Sequence, residues 1–155
     1  MASGSNFQEE RPLLQLIRSA DRVYAQAIRA SLNDAGFDDL PPRGIAVVIG
    51  LRRGGVGVGH LSRGLGVTSQ AASQLLDTLV ARSYVERAPD PADRRRIVVS
   101  LTPRGEEAAA IAAQAMSRVD EQLDRTLSSE QRRALRVGLA ALAELAPPPP
   151  RPESA

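Results

Sequence analysis

The chain has 155 residues, enough for one domain, and its 43% hydrophobic and 25% charged residues are typical of a globular protein. It contains no cysteine, which excludes disulfides, thiolate metal sites and thiol-based redox sensing. With 3% aromatic residues, its core must be built from Leu, Ile, Val and Ala. No basic segment followed by an apolar run opens the chain, and no run reaches the roughly 18 apolar residues of a membrane span, so we expect a soluble cytoplasmic protein.

All 20 basic residues are arginine, and they are unevenly distributed. From Arg43 to Arg104 there are ten arginines and four acidic residues, a net charge of +6, whereas the rest of the chain carries a net charge of −4. Because a basic region attracts polyanions, the middle of the chain is predicted to face nucleic acid while the acidic ends serve another purpose.

Hydrophobic spacing predicts the first elements in chain order. Apolar residues recur every three or four positions over 12–35, which predicts an amphipathic helix, and a second helix is expected over 42–51 after a proline pair. Residues 56–66 have room for a very short strand and a short helix over 60–65. Gly66 suits the left-handed residue that closes such a helix.

The next helix is the most informative. Thr68 is suited to cap it, and it is predicted to run over 69–83 with one apolar and one polar side. A short helix, a turn at Gly66 and Val67, and a second helix with a polar outer side predict a helix-turn-helix. The apolar side holds Ala72, Leu75, Leu76 and Leu79, and the polar side holds Ser69, Gln70, Ser73, Gln74 and Asp77.

Two strands and two helices complete the expected order of elements. Residues 84–88 and 96–101 are predicted strands, and the prolines, aspartates and arginines between them suit the tip of a β-hairpin. Thr102 is suited to cap a long helix that ends near Thr126, and a capping box that begins at Ser128 opens the last helix.

Two segments of the predicted hairpin form a specific pair, DPADRR over 90–95 and VSLTPRG over 99–105. Together with the helix that Thr68 opens, they resemble the MarR family of bacterial transcription regulators, whose wing carries a D-x-R and an L-T-x-x-G signature at this spacing. One departure is Ser83-Tyr84, where the family usually has Gly-Leu, so the helix lacks its usual terminal glycine.

The resemblance implies a mainly α protein with a small β-hairpin wing, in which a winged helix-turn-helix domain lies between dimerisation helices. It divides the chain into a flexible N-terminus (1–11), an N-terminal dimerisation helix (12–40), the DNA-binding domain (41–103), C-terminal dimerisation helices (104–146) and a disordered proline-rich tail (147–155). Long apolar stripes on the terminal segments independently favour a homodimer, because such stripes need a covering partner. The alternative is that they pack on each other within one chain.

The recognition helix is predicted to read base edges in the major groove of double-stranded DNA, where glutamine suits adenine and serine bonds bases or phosphates. An ordinary solvated helix face is the alternative. The predicted contacts are Thr68, Ser69, Gln70, Ser73 and Gln74.

The wing arginines are predicted to enter the minor groove or contact phosphate. By the family spacing, Arg95 is the minor-groove residue, Asp93 pairs with it and fixes its direction, and Arg94 and Arg96 contact phosphate. Three weaker phosphate candidates, for which a solvated surface is the alternative, are Arg63, Arg82 and Arg87.

Members of this family often bind a small molecule between the dimerisation helices and the winged domain. Tyr24, Ile28, Arg43 and Val47 lie in segments that could line such an effector pocket, although core packing is the alternative for the apolar three. No cofactor or metal is expected, because His60 is the only histidine and zinc needs several nitrogen or sulfur ligands.

An enzyme and a protein-binding module are the competing interpretations. A hydrolase would need His60 with a serine nucleophile, yet no G-x-S-x-G motif occurs, and the glycines between 54 and 59 lack both the G-x-G-x-x-G spacing and the lysine of a phosphate loop. A winged helix that binds only protein has no need of three consecutive arginines. The sequence therefore predicts a regulator that binds a palindromic operator as a homodimer, with repression the commoner outcome in families that it resembles.

Overall fold

The structure is a computed structural model that describes residues 11–52, 56–89 and 97–145. Within these ranges the chain forms helices and one small sheet, which confirms the predicted fold class. The helices are α1 (Leu13–Asp34), α2 (Pro42–Leu51), α3 (Val58–Leu65), α4 (Ser69–Ala81), α5 (Pro103–Thr126) and α6 (Ser129–Glu144). The strands are β1 (Val56–Gly57), β2 (Val85–Pro89) and β3 (Ile97–Leu101). None of the helices in these ranges combines the length and apolar character that crossing a membrane requires.

The sheet is antiparallel, with β3 between β1 and β2. In the hairpin, Val85 pairs with Leu101 at one end and Pro89 pairs with Ile97 at the other. Val99, in the middle of β3, is fully buried, because it lies between both neighbouring strands and faces the core. The hairpin and the very short strand at 56 are confirmed, and Arg96, the predicted first residue of the second strand, lies outside the described residues.

Local signals account for the starts of three helices. The hydroxyl oxygens of Thr68 and Thr102 accept hydrogen bonds from the backbone N–H groups of Ala71 and Gly105, and Ser128 forms the predicted capping box with Gln131. These three caps are confirmed. The short helix α3 begins at Val58, two residues before its predicted start.

Three helices are followed within two residues by a residue with a positive φ: α1 by Gly36, α3 by Gly66 and α4 by Ser83. In each case the N–H of the following residue bonds a carbonyl five residues back, the pattern of a Schellman cap. The prediction for Gly66 is confirmed. Ser83, with φ 58°, adopts a conformation that glycine usually takes, and α4 therefore ends at Ala81, two residues before its predicted end.

The core lies where α1, α2 and α5 meet the helix-turn-helix and the sheet. A row of alanines on α5 faces inwards and lets α1 and α2 approach closely. The largest fully buried side chains are Tyr84, Leu32, Leu40, Leu76 and Leu79.

The last helix differs from the others because α6 buries none of its residues. Its apolar stripe, Leu135, Leu139 and Leu142, is 41%, 45% and 38% exposed, and Leu13 and Leu14 at the start of α1 are also exposed. In this single chain the C-terminal half of α1 packs on α5, whereas α6 and the start of α1 are left uncovered.

Candidate nucleic-acid interface

The helix-turn-helix consists of α3, the turn at 66–68, and α4. Gly66 closes α3 with φ 62°, and Thr68 caps α4 two residues later, so a short turn connects the helices. Gly44 of α2 allows α4 to pack closely against α2, because a β-carbon at this position would stand 2.8 Å from Cδ2 of Leu79. Leu79 itself is fully buried.

The helix α4 has two distinct sides. Ala72, Leu76 and Leu79 are buried in the core, and the side chains predicted to meet DNA lie elsewhere on the helix surface. Thr68, Ser69, Gln70 and Gln74 are exposed, while Ser73 is half-buried. The structure thus brings all five to the N-terminal half of one helix, where they offer hydroxyl and amide groups to the solvent.

The hairpin β2–β3 begins at Val85, four residues after the end of α4, and Pro89 and Ile97 at its far end are exposed. The wing residues Asp93, Arg94, Arg95 and Arg96 belong to the segment between Pro89 and Ile97 and lie outside the described residues.

The three weaker phosphate candidates have different surroundings. Arg63 is exposed in the last turn of α3. Arg82 donates to the backbone carbonyl of Asp39, and Arg87 of β2 forms a 2.9 Å ion pair with Asp77 of α4. Both arginines are therefore held by intramolecular contacts at the edge of α4, although each guanidinium has further donors.

The base of the wing, where Ser83 and Tyr84 meet Thr102 and Gly105, shows why the threonine and the glycine of the L-T-x-x-G signature are needed. The Thr102 hydroxyl donates to the Ser83 carbonyl and accepts from the Gly105 N–H, while the Thr102 N–H donates to the Tyr84 carbonyl at 3.2 Å. Gly105 lies against the same Tyr84 carbonyl with no room for a side chain. These contacts join the end of α4 to the start of α5.

A polar cluster that sequence reasoning missed lies beside this base. The Asp39 carboxylate accepts hydrogen bonds from the Tyr84 hydroxyl and, at 2.9 Å, from Nη2 of Arg104. The Arg104 guanidinium also lies 4.8 Å from the centre of the Tyr84 ring and 5.5 Å from that of Phe37. We call Asp39, Tyr84 and Arg104 the Asp39 junction.

The hydrogen bonds, charges and burial of the Asp39 junction shift the pKa values of its members, and the hydrogen bond with Tyr84 raises the pKa of Arg104. The hydrogen bond from Tyr84, with the Arg104 charge, lowers the pKa of Asp39. Burial, and then the neighbouring Asp39 carboxylate, raise the pKa of Tyr84. No local spacing predicted this cluster, because Asp39 and Arg104 are 65 residues apart.

A cavity of about 930 Å³ lies between α1 and α2, with Met116 of α5 at its edge. Of the four residues predicted for an effector pocket, Tyr24 and Ile28 line it. Val47 is instead 1% exposed in the core, and Arg43 is exposed outside the lining. The other lining residues include Ala25, Arg29, Ile45, Ala46, Ile49 and Gly50.

The polar contacts of two residues at this cavity, Arg29 and Tyr24, were not predicted from the sequence. Arg29 donates from Nη1 to the Leu40 carbonyl at 2.8 Å, but its buried Nη2 has no hydrogen-bond partner in the described part of the chain. The Tyr24 hydroxyl donates to Asp120 of α5 at 2.5 Å, and this hydrogen bond, together with burial, raises the pKa of Tyr24 to about 12. The cavity is mainly apolar with a cationic donor on its wall.

The helix-turn-helix followed by a β-hairpin, with long helices before and after it, defines a winged helix-turn-helix protein. A sequence model of the MarR family matches residues 38–96. The multiple antibiotic resistance protein MarR of Salmonella typhimurium is 36% identical over 69 residues, 44% of this chain and 46% of that protein. The chain thus matches about half the length of this curated relative.

Solved structures show the same fold. FabT of Streptococcus pneumoniae, in complex with DNA, has a TM-score of 0.74 at 20% identity, covering 85% of this chain and 93% of that one. A mutant MarR of E. coli, complexed with operator DNA, has a TM-score of 0.66 at 24% identity, covering 88% and 96%. The predicted resemblance to the MarR family is confirmed, and the chain has the fold of a winged helix-turn-helix protein.

Proposed function

We propose that this protein is a sequence-specific transcriptional regulator that binds double-stranded DNA as a homodimer in the cytoplasm. The observation that carries the proposal is the exposed polar surface of α4, with Ser69, Gln70 and Gln74 at the N-terminal half of a helix whose other side is buried. A helix of this shape and polarity fits a major groove. The structural neighbours FabT and MarR were solved with DNA, which supports the same use of the fold here.

The basic charge of the middle of the chain supports binding to the phosphate backbone. In this proposal Arg94, Arg95 and Arg96 add the wing contacts, with Arg95 in the minor groove and Asp93 directing it. Arg63 offers a further phosphate contact from α3, and Arg82 and Arg87 reach phosphate only with the donors that their protein partners leave free.

The terminal helices, in this proposal, form the dimer. Both terminal helices expose apolar side chains of the kind that a partner chain covers. These are Leu135, Leu139 and Leu142 on α6 and Leu13 and Leu14 on α1. A two-fold dimer built from them presents two copies of α4, and such a pair reads a palindromic operator. The proposed organisation is a dimerisation helix over 12–40, a DNA-binding domain over 41–103 and dimerisation helices over 104–146.

An effector site between α1 and α2 is also part of the proposal. The cavity has the volume of a small-molecule site, and its lining of Tyr24, Ile28 and Ile49 is mainly apolar. The free Nη2 of Arg29 favours a ligand that brings an acceptor to that wall. Occupation of a cavity between a terminal helix and the winged domain would alter the position of α4 and release the operator, which is how repression would be relieved.

Fluorescence anisotropy with a labelled duplex from the upstream region of the gene tests the proposal. Titrations at several salt concentrations, with random-sequence competitor, should give tight and selective binding with a steep salt dependence. Arg95→Ala should weaken binding at least tenfold, whereas Arg125→Ala, an exposed arginine at the end of α5, should change it less than twofold. Gln70→Ala should change which duplex is preferred in a selection from a random pool.

A winged helix that binds only a protein partner is the competing function. It predicts weak binding that does not distinguish the selected duplex from competitor, and an Arg95→Ala variant that behaves like wild type. That outcome, obtained also with duplexes selected from a random pool, would reject DNA recognition.

A further inference from the structure

The strongest feature that the proposed function leaves unused is the Asp39 junction. Asp39 lies in the loop between α1 and α2, Tyr84 lies directly after the recognition helix, and Arg104 lies in the first turn of α5. The carboxylate of Asp39 bonds both of the others. One side chain thus connects three segments that are far apart in the sequence.

The backbone of the same loop is also held. The Asp39 carbonyl accepts a hydrogen bond from Arg82 at the end of α4, and the next carbonyl, that of Leu40, accepts one from Arg29 of α1. Phe37 and Leu40 are buried on either side. The loop is therefore fixed to both the recognition helix and the first long helix.

The junction combines several kinds of contact in one place. Arg104 forms an ion pair with Asp39, bonds the Tyr84 hydroxyl at 3.2 Å, and lies over the rings of Tyr84 and Phe37. Guanidinium is suited to this because it is planar, permanently charged and able to bond and stack together. Such a network has one preferred geometry, since moving any member breaks contacts to the other two.

We infer that Asp39 is a positioning residue for DNA recognition: through Tyr84 and Arg104 it fixes the orientation of α4 relative to the long helix α5. The inference rests on the proposed function, in which α5 belongs to the dimerisation helices. In that dimer the angle between α4 and α5 determines the distance and orientation between the two copies of α4. A shift at the junction is passed directly to α4, since Tyr84 is two residues beyond its C-cap, Arg82.

Two spin labels on one chain test the positioning directly. The chain has no cysteine, so Ala81→Cys at the end of α4 and Gln114→Cys on α5, both exposed, give two defined label sites. Labelled chains are diluted with excess unlabelled wild type so that distances within one chain dominate. The distance distribution is then compared for Asp39→Ala, Asp39→Asn, and Asp38→Ala as the matched control, at a temperature where circular dichroism shows each variant folded.

Asp39→Ala should broaden or shift the distribution and weaken operator affinity about tenfold. Asp39→Asn, which keeps an acceptor for Tyr84, should recover most of both. Asp38→Ala removes an exposed carboxylate from the same loop and should leave the distribution unchanged and the affinity within twofold.

The outcomes separate the positioning from the proposed function. An unchanged distribution in Asp39→Ala overturns the inference, and so does a broadened one with full operator affinity. If the wild type binds no DNA, the proposed function fails by itself, and the distance distribution still decides whether Asp39 positions α4.

Discussion

The carbonyl oxygen of Tyr84 lies so close to Gly105 that a β-carbon built on the glycine would stand only 1.9 Å from it. The contact joins the segment that follows α4 to the first turn of α5, beside the Thr102 cap. Because the atom in the way is backbone, it cannot rotate aside as a side chain would. The glycine of the L-T-x-x-G signature is therefore required by packing.

Gly105→Ala should accordingly destabilise the protein by about 3 kcal/mol, near the upper end of the usual cost of overpacking. Chemical denaturation of the purified variant measures this. Gly64→Ala is the matched control, because its β-carbon meets no atom of the described chain within 4 Å and the helix gains from alanine, so stability should rise by about 0.5 kcal/mol. Equal effects of the two changes would contradict the packing argument.

Ser83→Gly should stabilise the protein by about 1 kcal/mol, because serine at φ 58° has a steric cost that glycine avoids. Thermal and denaturant unfolding both measure the gain. The reciprocal changes Gly36→Ala and Gly66→Ala, at helix ends of the same geometry with positive φ, should each cost about 1 kcal/mol. A loss of stability in Ser83→Gly would show that the serine contributes a contact that outweighs its backbone cost.

The stability contributed by Asp39 should depend on pH in the acid range. Its pKa is lowered in the folded chain by the Tyr84 hydrogen bond and the Arg104 charge, so the contribution is complete above the unfolded pKa, about 3.9, and is lost as the pH falls through the lower folded value. The difference in unfolding free energy between wild type and Asp39→Asn should be constant from pH 7 to about 5 and shrink below about 4. A difference that grows towards low pH has the wrong sign for this account.

Tyr24 should ionise only near pH 12, because its hydroxyl donates to Asp120 and ionisation would place two negative charges together. The chain has two tyrosines, so Tyr84→Phe leaves Tyr24 as the single group seen in an ultraviolet titration. Adding Asp120→Asn should move the midpoint from about 12 towards 10. A midpoint near 10 with Asp120 intact would mean that the hydrogen bond does not form in solution.

The raised pKa of Tyr24 also makes the stability of the protein depend on pH in the alkaline range. The pKa of Tyr24 is higher in the folded chain than in the unfolded chain, so its contribution is complete below about pH 10 and is lost as the pH rises towards 12. The stability advantage of wild type over Tyr24→Phe should decline over that interval, and denaturation at pH 9 and pH 11 measures it.

Much of the fold is determined by signals that act within a few residues. The caps at Thr68, Thr102 and Ser128 and the left-handed Gly66 concern hydrogen bonds between residues three to five apart, so the sequence states them directly. The apolar periodicity likewise identifies the buried side of α4. At Ser83 the preference of this position for glycine is not met, yet the hydrogen bonds of the Schellman cap form around the serine.

The sequence by itself thus determined the order and type of the elements, the hairpin, and the group of polar residues that α4 presents. Only the tertiary structure decided which distant groups meet: Asp39 with Arg104 across 65 residues, Tyr24 with Asp120 across 96, and Asp77 with Arg87 across the turn after α4. It also decided that Val47 is in the core while Tyr24 and Ile28 face a cavity, since α1 and α2 each have more than one apolar side to bury. The reason is physical: a cap or a period is a property of one short segment, whereas a contact between segments depends on how all the helices pack at once.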